Sequence, residues 1–218
     1  ALSGLGVLFS WFPMFLAILL NEVRNRYWKN GIQTVITIPN FVSWVIVYAL
    51  CFSIFSTEGL YNQLFHTNNT LLTNKDTIWY FMEGLTLWKS AGWNSIIYLA
   101  AIAGIDESLY EAAMVDGANR FQSALHITLP SLMSTFIVVL LLQIGSFMSA
   151  GFDQYFAFSN IMVQSKLEVI DLYTYRIGMK TMDYSFATAI SILQSIVSVA
   201  LLMLVNGFSR LTRGEGII

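Results

Sequence analysis

The stretch Glu111-Ala112-Ala113-Met114-Val115-Asp116-Gly117-Ala118, followed by Leu129-Pro130, decides how the fold of this chain is interpreted. It is polar and rich in helix-forming residues, but it lies between two strongly apolar runs at 78–103 and 131–150. A helix is predicted over 106–115, then a bend that Gly117 permits, then a second short helix over 120–127. Pro130 is expected in the first turn of the next helix, where its missing N–H costs little. The pattern predicts a rigid polar elbow between two membrane-spanning helices.

The composition indicates a membrane protein. Of the 218 residues, 56% are hydrophobic and 11% are charged, whereas ordinary soluble domains have roughly 25% charged residues. A net charge of −2 without a Lys/Arg cluster argues against a nucleic-acid surface. Cys51 has no second cysteine with which to form a disulfide or a zinc site, and the sequence shows no metal-ligand or catalytic set. We therefore expect neither a metal site nor an enzymatic centre in this chain.

Five apolar segments are long enough to cross a bilayer, which takes about 20 residues per helix. They are residues 2–20, 33–55, 78–103, 131–150 and 182–206. The third is the least apolar because it contains Glu83 and Lys89. The predicted fold is therefore all-α, a polytopic helical bundle with about five spanning helices, treated as one domain over 1–218.

The positions of Lys and Arg give the orientation, because cytoplasmic loops carry an excess of both. Arg24, Arg26 and Lys29 follow the first segment, and Arg210 and Arg213 follow the last. Placing both regions inside also puts the loop at 104–130, with Arg120, in the cytoplasm. Segments 56–77 and 151–181 are then external, and they carry Lys75, Lys166, Arg176 and Lys180.

The polar elbow resembles the EAA loop of permease subunits from ATP-binding-cassette importers. That loop has a Glu-Ala-Ala, two residues, Asp-Gly-Ala pattern with an Ile-x-Leu-Pro ending, which Ile127-Thr128-Leu129-Pro130 supplies here. Ile38-Pro39-Asn40 and Leu172-Tyr173-Thr174-Tyr175-Arg176 extend the resemblance to carbohydrate importers. Among these importers, the chain resembles the maltose permease and the subgroup for polygalacturonan, rhamnogalacturonan or alginate fragments.

The resemblance implies a type I importer transmembrane domain in the bacterial inner membrane. Its implied partners are a second permease in a heterodimer, two ATPase subunits, an extracytoplasmic solute-binding protein and an oligosaccharide, within membrane lipid and without nucleic acid. The residues implied to couple to the ATPase are Glu111, Ala112, Ala113, Asp116, Gly117, Ala118, Leu129 and Pro130. It also implies at least one further helix before Ala1.

The chain has no Gly-x4-Gly-Lys-Ser/Thr phosphate loop, so ATP and Mg²⁺ are expected on the partner ATPase subunits. A permease for a non-sugar solute remains open, because the elbow does not encode the substrate. An ion-coupled secondary transporter is a further alternative. It would need intramembrane carboxylates or broken helices, and apart from Glu83 near a helix end the predicted spans contain no clear acidic site.

Polar and aromatic residues within the spans are candidates for the substrate path. Lys89 is an intramembrane cation, which usually faces a cavity or snorkels to an interface, and flat aromatic faces suit sugar rings. The candidate path residues are Trp88, Lys89, Trp93, Asn94, Gln143 and Phe147. Helix packing or snorkelling is the alternative for each. Phe152, Asp153, Gln154 and Tyr155 are candidates for an outer gate or a binding-protein contact, with a solvated connector as the alternative.

The predicted orientation can be tested by cysteine labelling in a Cys51→Ala background. Single cysteines at Asn30 and Gly214 are expected to be shielded from an impermeant thiol reagent in intact cells, because both positions lie in Arg/Lys-rich inner segments. A cysteine at Asn69 is expected to react. Labelling at Asn30 from outside would overturn the orientation and the placement of the elbow.

Overall fold

The computed structural model describes residue 6 and residues 9–68, 70–145 and 151–213, and this part consists of helices and turns without a strand. Phe147, Asn69 and Gly214 therefore lie outside the described residues. The helices are α1 (Trp11–Glu22), α2 (Arg26–Thr37), α3 (Trp44–Phe55), α4 (Leu60–Phe65), α5 (Ile78–Ala103), α6 (Glu107–Val115), α7 (Arg120–Ser123), α8 (Leu129–Gly145), α9 (Phe152–Phe158), α10 (Gln164–Leu167), α11 (Ile170–Lys180) and α12 (Tyr184–Arg213).

The chain divides into two compact units. The first comprises Ala1–Phe41 and Leu85–Leu140, and the second comprises Val42–Gly84 and Leu141–Ile218. The first has a core in which α1, α5 and α8 meet, made of Met14, Ala17, Tyr98, Ile102, Leu132 and Phe136. Ala17 is fully buried there, and small residues of this kind let membrane helices approach closely.

Aromatic side chains and one amide hold the second unit together. Phe158 of α9 packs edge-on against Tyr48 of α3 and against Phe81, with ring centroids 5.1 and 6.3 Å apart. The buried Gln154 side chain donates from Nε2 to the Met82 carbonyl at 2.9 Å. These contacts attach α9 to α3 and to the first turns of α5.

Three helical stretches of the described chain are long and apolar enough to cross a membrane: Trp44–Phe65, Arg120–Gly145 and Tyr184–Gly207. The other two predicted segments correspond to α1, a shorter apolar helix, and to the 26-residue α5, whose bounds match the prediction of 78–103. The last segment is predicted over 182–206, whereas the helix there, α12, begins two residues later, at Tyr184, and extends to Arg213.

The prediction of one continuous span over 33–55 is wrong. Helix α2 ends at Thr37, a 3₁₀ turn follows over Ile38–Phe41, and α3 begins at Trp44. Pro39 explains the break, because proline has no N–H to donate and its ring conflicts with the carbonyl four residues earlier, although Ile38 before it keeps helical dihedrals. The Ser43 hydroxyl then caps α3 by accepting a hydrogen bond from the Ile46 N–H at 3.4 Å.

The second short helix of the elbow is not separate from the next span. A π-helical turn over Ala124–Thr128 joins α7 to α8, and Leu129 N donates to the Ala124 carbonyl. Pro130 lies in the first turn of α8 as predicted, but that turn continues an existing helix. The wide π turn relieves the conflict between the Pro130 ring and the preceding carbonyls. Arg120 to Gly145 is thus one 26-residue helical stretch.

The break after α2 is held by two residues on one face of α5. Lys89 donates from Nζ to the Asn40 carbonyl at 2.7 Å and to the Pro39 carbonyl at 3.2 Å. Gly92, one turn later, lies so close to Ile36 that a Cβ there would clash with the Ile36 carbonyl. Trp93 meets Phe41 edge-on, with ring centroids 5.8 Å apart. Lys89 therefore supplies donors to carbonyls that the broken helix leaves without their usual partners.

We expect Lys89→Met to lower the stability of the purified protein by about 1–2 kcal/mol, because the carbonyls of the buried Pro39 and the half-buried Asn40 lose a donor. Thermal unfolding followed by tryptophan fluorescence in nanodiscs measures this. Lys89→Arg should restore part of the loss, since a guanidinium can also donate to two carbonyls.

A matched pair of glycine variants isolates the contact between α2 and α5. Gly92→Ala should destabilise the protein, whereas Gly84→Ala in the same helix should not, since nothing lies within 4 Å of a Cβ at Gly84. Unchanged stability in both Lys89→Met and Gly92→Ala would contradict the assignment.

Candidate coupling and translocation sites

The elbow helix α6 begins with a capped turn. Asp106 is its N-cap, and Asp106 Oδ1 accepts a hydrogen bond from the Ser108 N–H at 2.9 Å. Hydrogen bonds from Ser108 lower the pKa of the Asp106 carboxyl, because they favour its charged form. Glu107 adds a second negative charge in the first turn, where the helix dipole favours it.

The bend after α6 is a Schellman motif, a common way for a helix to end. Ala118 N donates to the Ala113 carbonyl at 2.9 Å, and Gly117 N donates to the Met114 carbonyl at 3.1 Å. Gly117 has φ of +78°, a left-handed conformation that glycine adopts without strain. The predicted role of Gly117 in the bend thus has a specific backbone geometry.

A capping box then starts α7. The Asn119 side chain accepts from the Gln122 N–H at 2.9 Å, and the Gln122 side chain accepts from the Asn119 N–H at 2.8 Å. Sequence reasoning missed this box, although Asn119 and Gln122 have the required spacing. Together, the capping box and the Schellman motif fix the backbone between α6 and α7, so the angle between these two helices is well defined.

Tyr110 anchors the inner face of α6. Its hydroxyl lies 2.8 Å from the Thr128 hydroxyl in the π turn, and Thr128 is buried. Tyr110 was also missed, but it lies three residues before Ala113, on the same helix face. The hydrogen bond ties the elbow helix directly to the start of the spanning helix α8.

Much of the remaining surface of α6 is exposed and partly apolar. Val115 is 88% exposed, and Met114, which follows Tyr110 by one turn on the same side of the helix, is 66% exposed; Glu111, Ala112 and Asp116 are also exposed. A notch of about 310 Å³ lies beside them, lined by Ala113, Asp116, Gly117, Ala118, Gln122, Ser123, His126 and Ile127. Six of the eight predicted coupling residues are therefore gathered on one protrusion, while Leu129 and Pro130 begin α8.

The predicted path residues are distributed over both units. Trp88 and Trp93 of α5 are about half exposed, and Asn94 is half-buried. Lys89, also on α5, is engaged with the carbonyls of Pro39 and Asn40. Gln143 is an exposed residue of α8 in the second unit. Each unit thus contributes candidates, and the contacts of Lys89 fit the packing role that the sequence analysis gave as its alternative.

Two of the four predicted outer-contact residues lie in the interior. Gln154 and Tyr155 are 4% and 6% exposed, so in this conformation they attach α9 to its own unit and do not form a contact surface. Burial, together with the nearby Glu83 charge, raises the pKa of Tyr155. Phe152 packs against Phe156 and Tyr175, with ring centroids 5.2 and 5.1 Å apart, and Asp153 is exposed. Of the four residues, Phe152 and Asp153 thus stay predicted candidates for a binding-protein contact.

Comparison with known proteins gives concordant matches. Protein LplB of Bacillus subtilis (strain 168) is 39% identical over an alignment of 222 residues, which covers 99% of this chain and 70% of LplB. The polygalacturonan/rhamnogalacturonan transport system permease protein YteP of the same organism is 39% identical over 215 residues, covering 94% of this chain and 65% of YteP. The chain thus spans about two thirds of the length of these relatives.

The fold is also that of a solved transporter. A chain in the crystal structure of a bacterial alginate ABC transporter, in complex with an alginate pentasaccharide-bound periplasmic protein, is 33% identical, with a TM-score of 0.92 over 99% of this chain and 77% of that chain. Residues 10–213 match the family described as binding-protein-dependent transport system inner membrane component. The predicted all-α permease fold and the inner-membrane location are confirmed. This chain belongs to the family of inner membrane components of binding-protein-dependent transport systems.

Proposed function

We propose that the chain is the permease subunit of an ATP-driven importer that moves an acidic oligosaccharide across the inner membrane by alternating access. Its likeness to YteP and to the alginate transporter carries the substrate class, because polygalacturonan and alginate are both acidic polysaccharides. The break between α2 and α3 is a feature that ion-coupled transporters also use. The match to a binding-protein-dependent family over 10–213 favours the importer instead.

The proposed partners follow from what the chain lacks and what it exposes. It has no phosphate loop in its sequence, so ATP and Mg²⁺ are assigned to two separate ATPase subunits. A second homologous permease completes a heterodimer, and an extracytoplasmic solute-binding protein delivers the sugar. The exposed apolar side chains of Met114 and Val115 supply contact surface for one ATPase subunit.

The elbow supports coupling because it is stiff and directly continuous with a spanning helix. The Schellman motif, the capping box and the hydrogen bond from Tyr110 to Thr128 fix α6 on Arg120–Gly145. That 26-residue stretch is about 39 Å long at 1.5 Å per residue. Glu111 is proposed to pair with a basic residue of the ATPase, while Ala112 and Ala113 allow close packing. A displacement of the elbow is then passed along one helix.

The aromatic candidates form the proposed substrate path. Trp88 and Trp93 are each about half exposed on α5, so their rings have faces available for stacking on sugars. Asn94 of the same unit is proposed to add hydrogen bonds to the sugar, and Gln143 and Phe147 stay candidates on sequence grounds alone. Because the Lys89 ammonium is directed at Pro39 and Asn40, we propose that it positions the helix break and does not bind the sugar.

Uptake into proteoliposomes tests the substrate class. The transporter, reconstituted with its permease partner, ATPase subunits and solute-binding protein, is expected to accumulate oligogalacturonates or alginate oligosaccharides only with internal ATP. Maltooligosaccharides of equal length serve as neutral controls. Accumulation of amino acids instead of any oligosaccharide would refute the proposal.

Substitutions in the elbow test the coupling mechanism. Glu111→Lys should lower substrate-stimulated ATPase activity by at least about tenfold, since a charged interface contact typically contributes over 1.4 kcal/mol. Gly117→Val should act similarly because a β-branched residue is strained at φ of +78°.

Two controls accompany these variants. Gly117→Asn should retain most activity because asparagine tolerates the left-handed conformation. Glu58→Lys reverses an exposed charge in the external segment 56–77 and should have little effect. Equal stimulation in Glu111→Lys, Gly117→Val and the wild type would exclude the elbow as the coupling element.

A further inference from the structure

The turn between α9 and α10 is held by one side chain. Asn160 Oδ1 accepts hydrogen bonds from the N–H groups of Met162 at 3.0 Å and Val163 at 3.2 Å. Asn160 Nδ2 donates to the Leu72 carbonyl at 3.1 Å, which ties the turn to the other external segment. The Asn160 carbonyl also accepts from Gln164 N at 2.8 Å. The turn therefore has a defined conformation.

This fixed turn presents two apolar side chains, Ile161 and Met162, which we call the outer tip. Ile161 is 95% exposed and Met162 is 62% exposed, whereas Val163 directly after them and Leu167 one turn later are fully buried. The packing of the unit is thus supplied by Val163 and Leu167. Neither tip side chain contributes to it, so their apolar character needs another explanation.

Positive charge surrounds the outer tip. Lys180 lines the same hollow of about 300 Å³ as Ile161, and Lys166 follows four residues after Met162. Neither lysine has an ion-pair partner among the described residues. Of the acidic groups near them along the chain, Glu168 pairs with Arg176 at 2.7 Å, Asp171 accepts from Gln194 at 2.8 Å, and Asp183 accepts from the Phe186 N–H at 3.0 Å, while Asp153 is exposed. The apolar tip thus has two unpaired lysines beside it.

Lipid is a poor occupant for this surface. Ile161 and Met162 lie in a turn outside any helix, and irregular backbone in hydrocarbon would leave peptide groups without partners. The orientation predicted from Lys and Arg places residues 151–181 outside. A protein must reach that side, because the family depends on a binding protein, and the alginate transporter was solved with its periplasmic protein.

We propose that the outer tip docks into an apolar notch with an acidic rim on the solute-binding protein, and that Asn160 positions it. This inference rests on the proposed function for the identity of the partner. Exposed apolar side chains on a rigid turn suit the buried centre of an interface, where a few residues carry most of the affinity. Lys166 and Lys180 form the rim, which accelerates association and sets orientation.

Direct binding tests the proposal independently of which sugar is carried. The assembled transporter in nanodiscs is titrated with its purified solute-binding protein, and Kd is measured. Ile161→Asp and Met162→Asp should each weaken binding by at least about tenfold, while Ile161→Val and Met162→Leu should bind like the wild type. Lys166→Glu with Lys180→Glu should mainly slow association at low salt. Equal Kd values for the Asp variants and the wild type would overturn the proposal.

A fluorescent probe separates a protein contact from a lipid contact. Met162→Cys in a Cys51→Ala background is labelled with an environment-sensitive dye and reconstituted in vesicles of phosphatidylethanolamine and phosphatidylglycerol. A blue shift that appears only when the solute-binding protein is added supports docking. A blue shift present beforehand and unchanged by the protein would show that the tip enters lipid, and would refute docking. If the solute-binding protein binds as expected but the transporter takes up no oligosaccharide, only the proposed substrate is refuted and the docking proposal stands.

Discussion

The requirement that backbone polar groups find partners inside the membrane governs this structure. A straight helix satisfies this requirement with its own backbone hydrogen bonds. Pro39 and Pro130, the two prolines outside α1, lie where the helices are irregular and this pattern is interrupted. At Pro39 the carbonyls released by the break accept hydrogen bonds from Lys89, some 50 residues later. At Pro130 the ladder is rearranged locally into a π turn, and the helix continues. One irregularity is thus satisfied by a distant charge and the other by local geometry.

This difference explains what the sequence could predict. The bounds of α5, the helix at 107–115 and the bend at Gly117 follow from local signals, namely apolar run length, helix propensity, capping and a glycine that tolerates positive φ. Continuous hydropathy over 33–55 concealed the break, because Ile38 and Phe41 are as apolar as helical neighbours. The partner of Lys89 and the burial of Gln154 depend on contacts across many residues, which periodicity does not encode.

The elbow shows how one short segment serves two surroundings. Its inner face is polar where Tyr110 meets Thr128, so α6 is attached by a directional hydrogen bond. Val115, on the other side of the helix, is apolar and 88% exposed, and no neighbour in the described chain covers it. An attached inner face and an uncovered outer face are what a force-transmitting contact needs. The local sequence predicted the helix, but it did not distinguish these two faces.

The position of Lys89 bears on how an acidic sugar is selected. Lys89 keeps its positive charge when it makes these two hydrogen bonds. The partial negative charges of the Pro39 and Asn40 carbonyl oxygens offset part of that charge and hold the ammonium group in place. An ammonium has three N–H donors, so its two hydrogen bonds to Pro39 and Asn40 leave at most one donor for a sugar carboxylate. A carboxylate that drew the ammonium away from these carbonyls would leave them without this donor, at a cost of about 1–3 kcal/mol for each. Strong selection by Lys89 would therefore compete with the integrity of the helix break. Under the proposed function, recognition of the acidic group is then better placed on the solute-binding protein or the proposed second permease, with the aromatic residues of α5 contributing stacking.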